Sequence, residues 1–239
     1  FLYRKYGINR LSLGLQSPDN RELKTLGRIH SYEEFLESYQ LARQAGFTNI
    51  NVDLMSAIPG QTYEGWVRNL RLVADLAPEH ISAYSLIVEE GTPFYEAYER
   101  EELNLPEEET DRAMYEATRV FLHEKGYERY EISNYAQKGF ECRHNVGYWK
   151  RKNYVGFGIG AASLVENVRF HNGDSLYMYM QNPCKCMMDI ERLSIEEQME
   201  ETMFLGLRMA EGVSYKAFEN CFGIGLHTVY GDIIKKHMD

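Results

Sequence analysis

Cysteine is scarce: Cys142, Cys184, Cys186 and Cys221 are the four in 239 residues. In a chain of this length that opens with no secretory signal, they do not form the pattern of a disulfide framework, and a reducing cytoplasm is the expected setting. Basic residues are outnumbered, 26 Lys+Arg against 36 Asp+Glu, which leaves a net charge of −10 and a pI near 5.3. A broad basic face for nucleic acid is therefore not expected, and no nucleic-acid partner is assigned. Long apolar runs are missing too. Ile81 to Val88, with Ser and Tyr inside it, falls far short of the ~20 residues needed to span a bilayer. No internal repeat or low-complexity segment is present. Position 1 is Phe rather than Met, so the chain is expected to begin inside a longer protein.

What is present is enough for a folded core, since 44% of the residues are hydrophobic and 13% aromatic. Arg10 to Ser17 (RLSLGLQS) alternates as a strand through Leu11, Leu13 and Leu15. Ser31 and Glu34 form an S-x-x-E capping box that opens a helix stopping at Gly46. A second strand is expected over Asn49 to Met55. Thr62 then caps a helix carrying Trp66, Leu70 and Val73, and a third strand covers Ile81 to Val88. Strand, helix, strand, helix, strand at this spacing implies parallel βαβ units and an α/β fold, as a barrel or an open sheet. A long helix is expected over Glu107 to Lys125, a strand over Tyr127 to Ile132, and a Gly-rich apolar stretch over Tyr154 to Val165. The pattern breaks at Pro183. This suggests two domains, 1–183 and 184–239, the second small, mostly helical and of winged-helix type, with a helix from the Ser194–Glu197 capping box to about Ala210.

Parallel α/β folds collect functional groups at the C-terminal ends of strands. Gln16, Asp53 and Ser56, and Ser85 to Ile87, occupy such ends, and Arg28 lies in the loop before the first helix, where a guanidinium can meet a carboxylate. Taken one at a time, each is more simply explained by a structural hydrogen bond. Gly156-x-Gly158-x-Gly160 lacks the dinucleotide spacing and is better explained by close backbone packing. The densest chemistry is Cys142-Arg143-His144-Asn145-Val146-Gly147-Tyr148-Trp149, followed by Lys150-Arg151-Lys152. Imidazole, carboxamide, phenol, indole and three cations suit a flat, anionic, iron-bearing ring, although a single His among aromatics also suits plain packing. Cys184-x-Cys186 has no second pair and stays unassigned.

RLSLGLQS, LGRIH, NVDLMSAIPGQT, HISAYSLIVEEGTP, YEISNYA, CRHNVGYW and GFGIGAAS, in this order, resemble the radical SAM proteins related to oxygen-independent coproporphyrinogen III oxidase, in particular their heme-chaperone branch. The resemblance covers essentially the whole chain. It implies the second half of a partial (β/α)6 barrel, entered at the fourth strand, followed by a small C-terminal domain. It also implies S-adenosylmethionine and a [4Fe-4S] cluster whose C-x-x-x-C-x-x-C ligands are absent here and expected upstream of Phe1. By motif, Gln16, Arg28 and Asp53 match the family's S-adenosylmethionine contacts, with Ile87 and Ala162 as weaker backbone or apolar ones. His144-Asn145-x-x-Tyr148 matches the H-N-x-x-Y heme motif of the chaperone branch, with His144 as iron ligand and Lys150 to Lys152 near the propionates. The implied function is delivery of heme to acceptor hemoproteins. The alternative is the oxidase, which decarboxylates propionates by radical chemistry. Implied partners are heme or porphyrin, respiratory-chain hemoproteins, a transient membrane-protein contact and a second copy in a homodimer.

Overall fold

A computed structural model describes residues 1–238. The chain divides into two compact units, Phe1–Glu141 and Cys142–Asp239, each described here by itself. The first begins with a single turn, α1 (Leu2–Lys5), and strand β1 (Leu11–Gln16). There follow α2 (Asn20–Thr25), α3 (Tyr32–Gln44), β2 (Ile50–Ser56), α4 (Tyr63–Ala74), β3 (His80–Ser85), α5 (Pro93–Glu99), α6 (Glu108–Glu124), β4 (Glu128–Arg129) and β5 (Asn134–Ala136). Local chemistry sets the boundaries. The Ser31 hydroxyl accepts from Glu34 N–H while the Glu34 carboxylate accepts from Ser31 N–H, and Thr62 Oγ1 accepts from Gly65 N–H at the start of α4.

The five strands run in the order β1-β2-β3-β5-β4, with β1, β2 and β3 parallel. β5 pairs antiparallel to β3 and to β4. The sheet is therefore mixed: a short turn joins β4 to β5, and only a longer crossover could have brought β5 back parallel. The strand expected over 127–132 shrinks to Glu128–Arg129, and the third strand ends at Ser85, so Leu86 to Val88 leave the sheet.

Alternation divides the sheet's faces. Leu15, Ile50, Val52, Leu54, Ile81 and Ala83 are buried with Phe35, Tyr39, Trp66, Leu70, Val73, Met114 and Leu122, so the apolar side chains of the strands lie under α3, α4 and α6. Trp66 Nε1 donates to Thr118 Oγ1 at 2.9 Å, which satisfies the indole inside this layer. The other face carries Ser12, Gly14, Gln16, Asn51, Asp53, His80, Ser82 and Tyr84.

The second unit contains α7 (Arg143–Trp149), β6 (Ala162–Val165), β7 (Val168–Asn172), α8 (Leu176–Gln181), a 3-10 turn (Pro183–Lys185), β8 (Met187–Arg192), α9 (Ile195–Gly206), α10 (Tyr215–Phe222) and α11 (Leu226–Lys236). β6, β7 and β8 form an antiparallel meander, so residues 187–192 share a sheet with 162–172. The Ser194–Glu197 capping box opens α9, which stops at Gly206 rather than near Ala210. No helix among the described residues is long and apolar enough to cross a membrane.

The middle one of the three parallel strands makes the core testable. Leu54 is fully buried in β2, and Leu54→Ala is expected to cost about 2–5 kcal/mol, read as a lower urea midpoint. A loss below about 1 kcal/mol would show that β2 is not the centre of the helix-covered layer.

Candidate functional site

The polar face of the first unit is built by register. β1 and β2 align Ser12 with Asn51 and Gly14 with Asp53, and β2 and β3 align Asn51 with His80 and Asp53 with Ser82. The register slips between Gly14 and Gln16, and Gln16 takes a φ of +71°, which a residue with a Cβ adopts only at a cost. Its side chain is nevertheless buried, and its Oε1 accepts from the Tyr84 hydroxyl at 2.9 Å. A Cβ at position 14 would come within 3.1 Å of Gln16 Nε2, so Gly14 leaves room for that amide.

The Tyr84 phenol responds to each of the three predicted residues. Burial raises its pKa, and the Asp53 charge adds to that rise. The hydrogen bond to Gln16 and the positive charge of Arg28 act against it. Gln16 is bonded to this phenol, which stays protonated and donates. Asp53 accepts from Asn51 Nδ2 at 2.6 Å and from Ser12 Oγ at 3.4 Å, which leaves lone pairs of the carboxylate for further donors. Arg28, in the loop between α2 and α3, is exposed. The polar face itself offers a carboxylate with acceptor capacity and a buried amide. Ile87 lies past the end of β3 and is 76% exposed, available for an apolar contact.

Behind Asp53 lies a buried relay. Asn51 Nδ2 also donates to Ser12 Oγ at 2.7 Å, so its Oδ1 faces His80, which must donate through Nδ1. His80 Nε2 then accepts from the Tyr130 hydroxyl at 2.8 Å, and Ser82 Oγ donates to Asn134 Oδ1 at 2.7 Å. Asn134 Nδ2 donates in turn to the buried Glu131 carboxylate at 2.6 Å. Burial, with a smaller push from Arg10, lowers the His80 pKa to about 3, so this imidazole is neutral.

Other strand-end groups are spent on structure. The Ser56 and Ser85 hydroxyls lie 3.2 Å apart, and Ser85 donates to Asp111 at 2.7 Å. In the Ile58 to Thr62 turn, Gln61 Nε2 donates to Glu22 at 3.0 Å, and Asn69 Nδ2 reaches the same carboxylate at 2.8 Å.

In the second unit, His144, Asn145 and Tyr148 share the seven-residue helix α7. His144 is exposed and meets Tyr148 edge to face with ring centroids 4.7 Å apart. Tyr148 meets Tyr154 in the same way at 4.7 Å. The imidazole is thus braced from behind and open in front. The neighbouring cations are not all available. Lys150 pairs with Glu211 at 2.7 Å, and Arg151 donates to the buried Glu201 at 2.7 Å, which Arg169 also holds. Lys152 is exposed. The glycine stretch is held by packing: Gly156 N–H donates to Ser163 Oγ, and Asn172 Nδ2 donates to the carbonyls of Gly156 and Gly158. Ala162 opens β6 directly after it, exposed.

Residues 2–73 match the radical SAM superfamily, and residues 193–238 match the HemN C-terminal domain. The heme chaperone HemW of Bacillus subtilis is 37% identical over 98% of this chain and 62% of its own length. HemW of Lactococcus lactis is 38% identical over 95% of the chain and 60% of its length. The chain belongs to the radical SAM family of HemN- and HemW-like proteins. It spans about 60% of the length of these relatives. The solved coproporphyrinogen III oxidase HemN of Escherichia coli shares the fold, with a TM-score of 0.76 at 21% identity over 97% of this chain and 57% of that one. Radical SAM membership implies S-adenosylmethionine and a [4Fe-4S] cluster.

For a radical SAM chain, the residues missed by sequence reasoning are Asn51, His80, Ser82 and Tyr84. The period-2 spacing of His80, Ser82 and Tyr84 marks one face of one strand, but the pairing with β2 that makes it one network is a tertiary fact. A neutral buried His80 has a thermodynamic signature. Between its folded value of about 3 and its ordinary value near 6.5, the unfolded chain binds a proton that the folded chain does not. Stability should therefore fall on acidification, by roughly 1.5 kcal/mol between about pH 6.5 and pH 5 in urea titrations. His80→Gln, which cannot charge, should remove most of that slope. An unchanged slope would mean that His80 is protonated in the folded chain.

Proposed function

We propose that this chain is the heme-handling portion of a heme chaperone, binding heme and passing it to acceptor hemoproteins, with His144 as the iron ligand. The observation that carries this reading is the exposed imidazole of His144, braced edge to face by Tyr148 on a motif with Asn145. An imidazole with one open side is a good iron ligand, and Tyr148 braces the ring. Relatives at 37% and 38% identity that are named heme chaperone HemW support it. Lys152 is the cation left for a propionate, since Lys150 and Arg151 hold carboxylates. The solved HemN oxidase supports the alternative through a shared fold at 21% identity, below the identity of the HemW relatives. The proposal includes a cytoplasmic setting, respiratory hemoproteins as acceptors, a transient membrane-protein contact, a homodimer, and a functional module over 184–239 that contains the matched 193–238.

In the same reading, Gln16, Arg28 and Asp53 hold S-adenosylmethionine. Arg28 faces the methionine carboxylate, Asp53 accepts from the ribose hydroxyls, and Gln16 and Tyr84 shape the floor between them. Ile87 supplies an apolar or backbone contact. The cofactor, at its cluster, supplies one-electron chemistry; these side chains bind and orient it.

Two measurements test the assignment. In heme titrations, His144→Ala is expected to shift the Soret band and speed heme loss by about tenfold or more, because an axial ligand is removed while stacking on the ring remains. An unaltered spectrum together with anaerobic turnover of coproporphyrinogen III would replace the chaperone with the oxidase. In a protein that also carries the cluster-binding segment, Arg28→Ala should weaken S-adenosylmethionine binding by about 1.5–3 kcal/mol in calorimetry. An unchanged affinity would remove Arg28 from the cofactor site.

A further inference from the structure

The second unit holds a cavity that this reading does not use. It measures about 530 Å³ and lies between the end of α7, the helices α9 and α10, and the turn that joins them. Met209, Val213, Ala217 and Phe218 form its apolar wall, and Trp149 and Arg151 its polar one. Trp149 Nε1 and Arg151 Nη2 are both buried, and neither has a hydrogen-bond partner. The Arg151 side chain is 10% exposed; its Nε is committed to Glu201. Buried donors are almost always paired, so two unpaired ones on residues that line one cavity call for an acceptor.

The charge around the cavity points to an anion. Of the charged residues that line it, Lys150 and Arg151 stand against Glu211; Lys150 pairs with Glu211, Arg151 with Glu201, and Arg208 stacks 4.4 Å over the Trp149 ring. Two lining cations against one lining carboxylate leave a positive excess in a chain of net charge −10. The volume lies in the range of small-molecule pockets, and its apolar wall calls for an apolar body on the ligand. His144 and Trp149 are five residues apart, roughly 140° around a helix of 3.6 residues per turn, so the cavity is on a different side of α7 from the proposed iron ligand.

We propose that this cavity binds a small amphiphilic anion, a compact apolar molecule whose carboxylate takes the hydrogen bonds of Trp149 Nε1 and Arg151 Nη2. The site is independent of the heme reading. The 239-residue chain titrated with 1-anilinonaphthalene-8-sulfonate should show saturable, one-to-one fluorescence enhancement. Decanoate should displace the dye, while neutral 1-decanol should not.

Ala217→Phe, which fills the cavity without touching an ion pair, should weaken dye binding by about tenfold or more. Arg151→Met should do the same by removing a charged donor. Trp149→Phe keeps the ring against Arg208 and loses one donor, so a loss of several-fold is expected, and it guards against misfolding of the Arg151 variant. His144→Ala should leave the dye affinity unchanged. The proposal fails if no saturable binding occurs, if Ala217→Phe and Trp149→Phe, folded by circular dichroism, bind as the parent does, or if decanol competes as well as decanoate. Loss of dye binding in His144→Ala would merge the cavity with the heme site and equally overturn it.

Discussion

The first unit depends on the two-sidedness of three parallel strands. Side chains alternate across a strand, so placing Leu15, Val52, Leu54, Ile81 and Ala83 under α3, α4 and α6 forces Gln16, Asn51, Asp53, Ser82 and Tyr84 onto the opposite face. The core and the candidate cofactor face are two consequences of one register. A one-residue slip of β2 would move Asp53 into the apolar layer and Val52 onto the polar face. The cost of burying a lone carboxylate there holds the site in place as firmly as the packing does.

That polar face is shared between structure and chemistry. The relay from Asp53 through Asn51, His80 and Tyr130, with the branch through Ser82 and Asn134 to Glu131, satisfies each buried group with a neighbour. Its neutral imidazole follows from burial beside Asn51 and Tyr130, with no carboxylate bonded to the ring to hold a charge. Gln16, at positive φ, is the strained member. It is held by Tyr84 and by the slip in the β1 register, so the backbone cost is met where the amide side chain is needed.

In the second unit, helix α7 divides two tasks between its sides. The His144–Tyr148–Tyr154 ladder of rings orients an exposed imidazole. At the C-terminal end, Trp149 and Arg151 turn to α9, where buried Glu201 between Arg151 and Arg169 anchors the helix. A buried carboxylate held by two guanidinium groups is costly to break, which explains why Arg151 belongs to the scaffold as much as to any ligand.

The sequence by itself determined the βαβ order, the capped starts of α3, α4 and α9, and the types of residue at the strand ends, because hydrophobic period and capping chemistry are local. The ordered motifs also made the family legible. Tertiary structure alone decided the antiparallel return of β5, the bond between Gln16 and Tyr84, and the recruitment of Asn51 and His80. It also decided the commitment of Lys150 and Arg151 to Glu211 and Glu201, cations that the sequence shows only as a run beside the His144 motif. These depend on which strand or helix lies alongside, and residues 16 and 84, or 151 and 201, become neighbours only when distant segments pair, which no local pattern encodes.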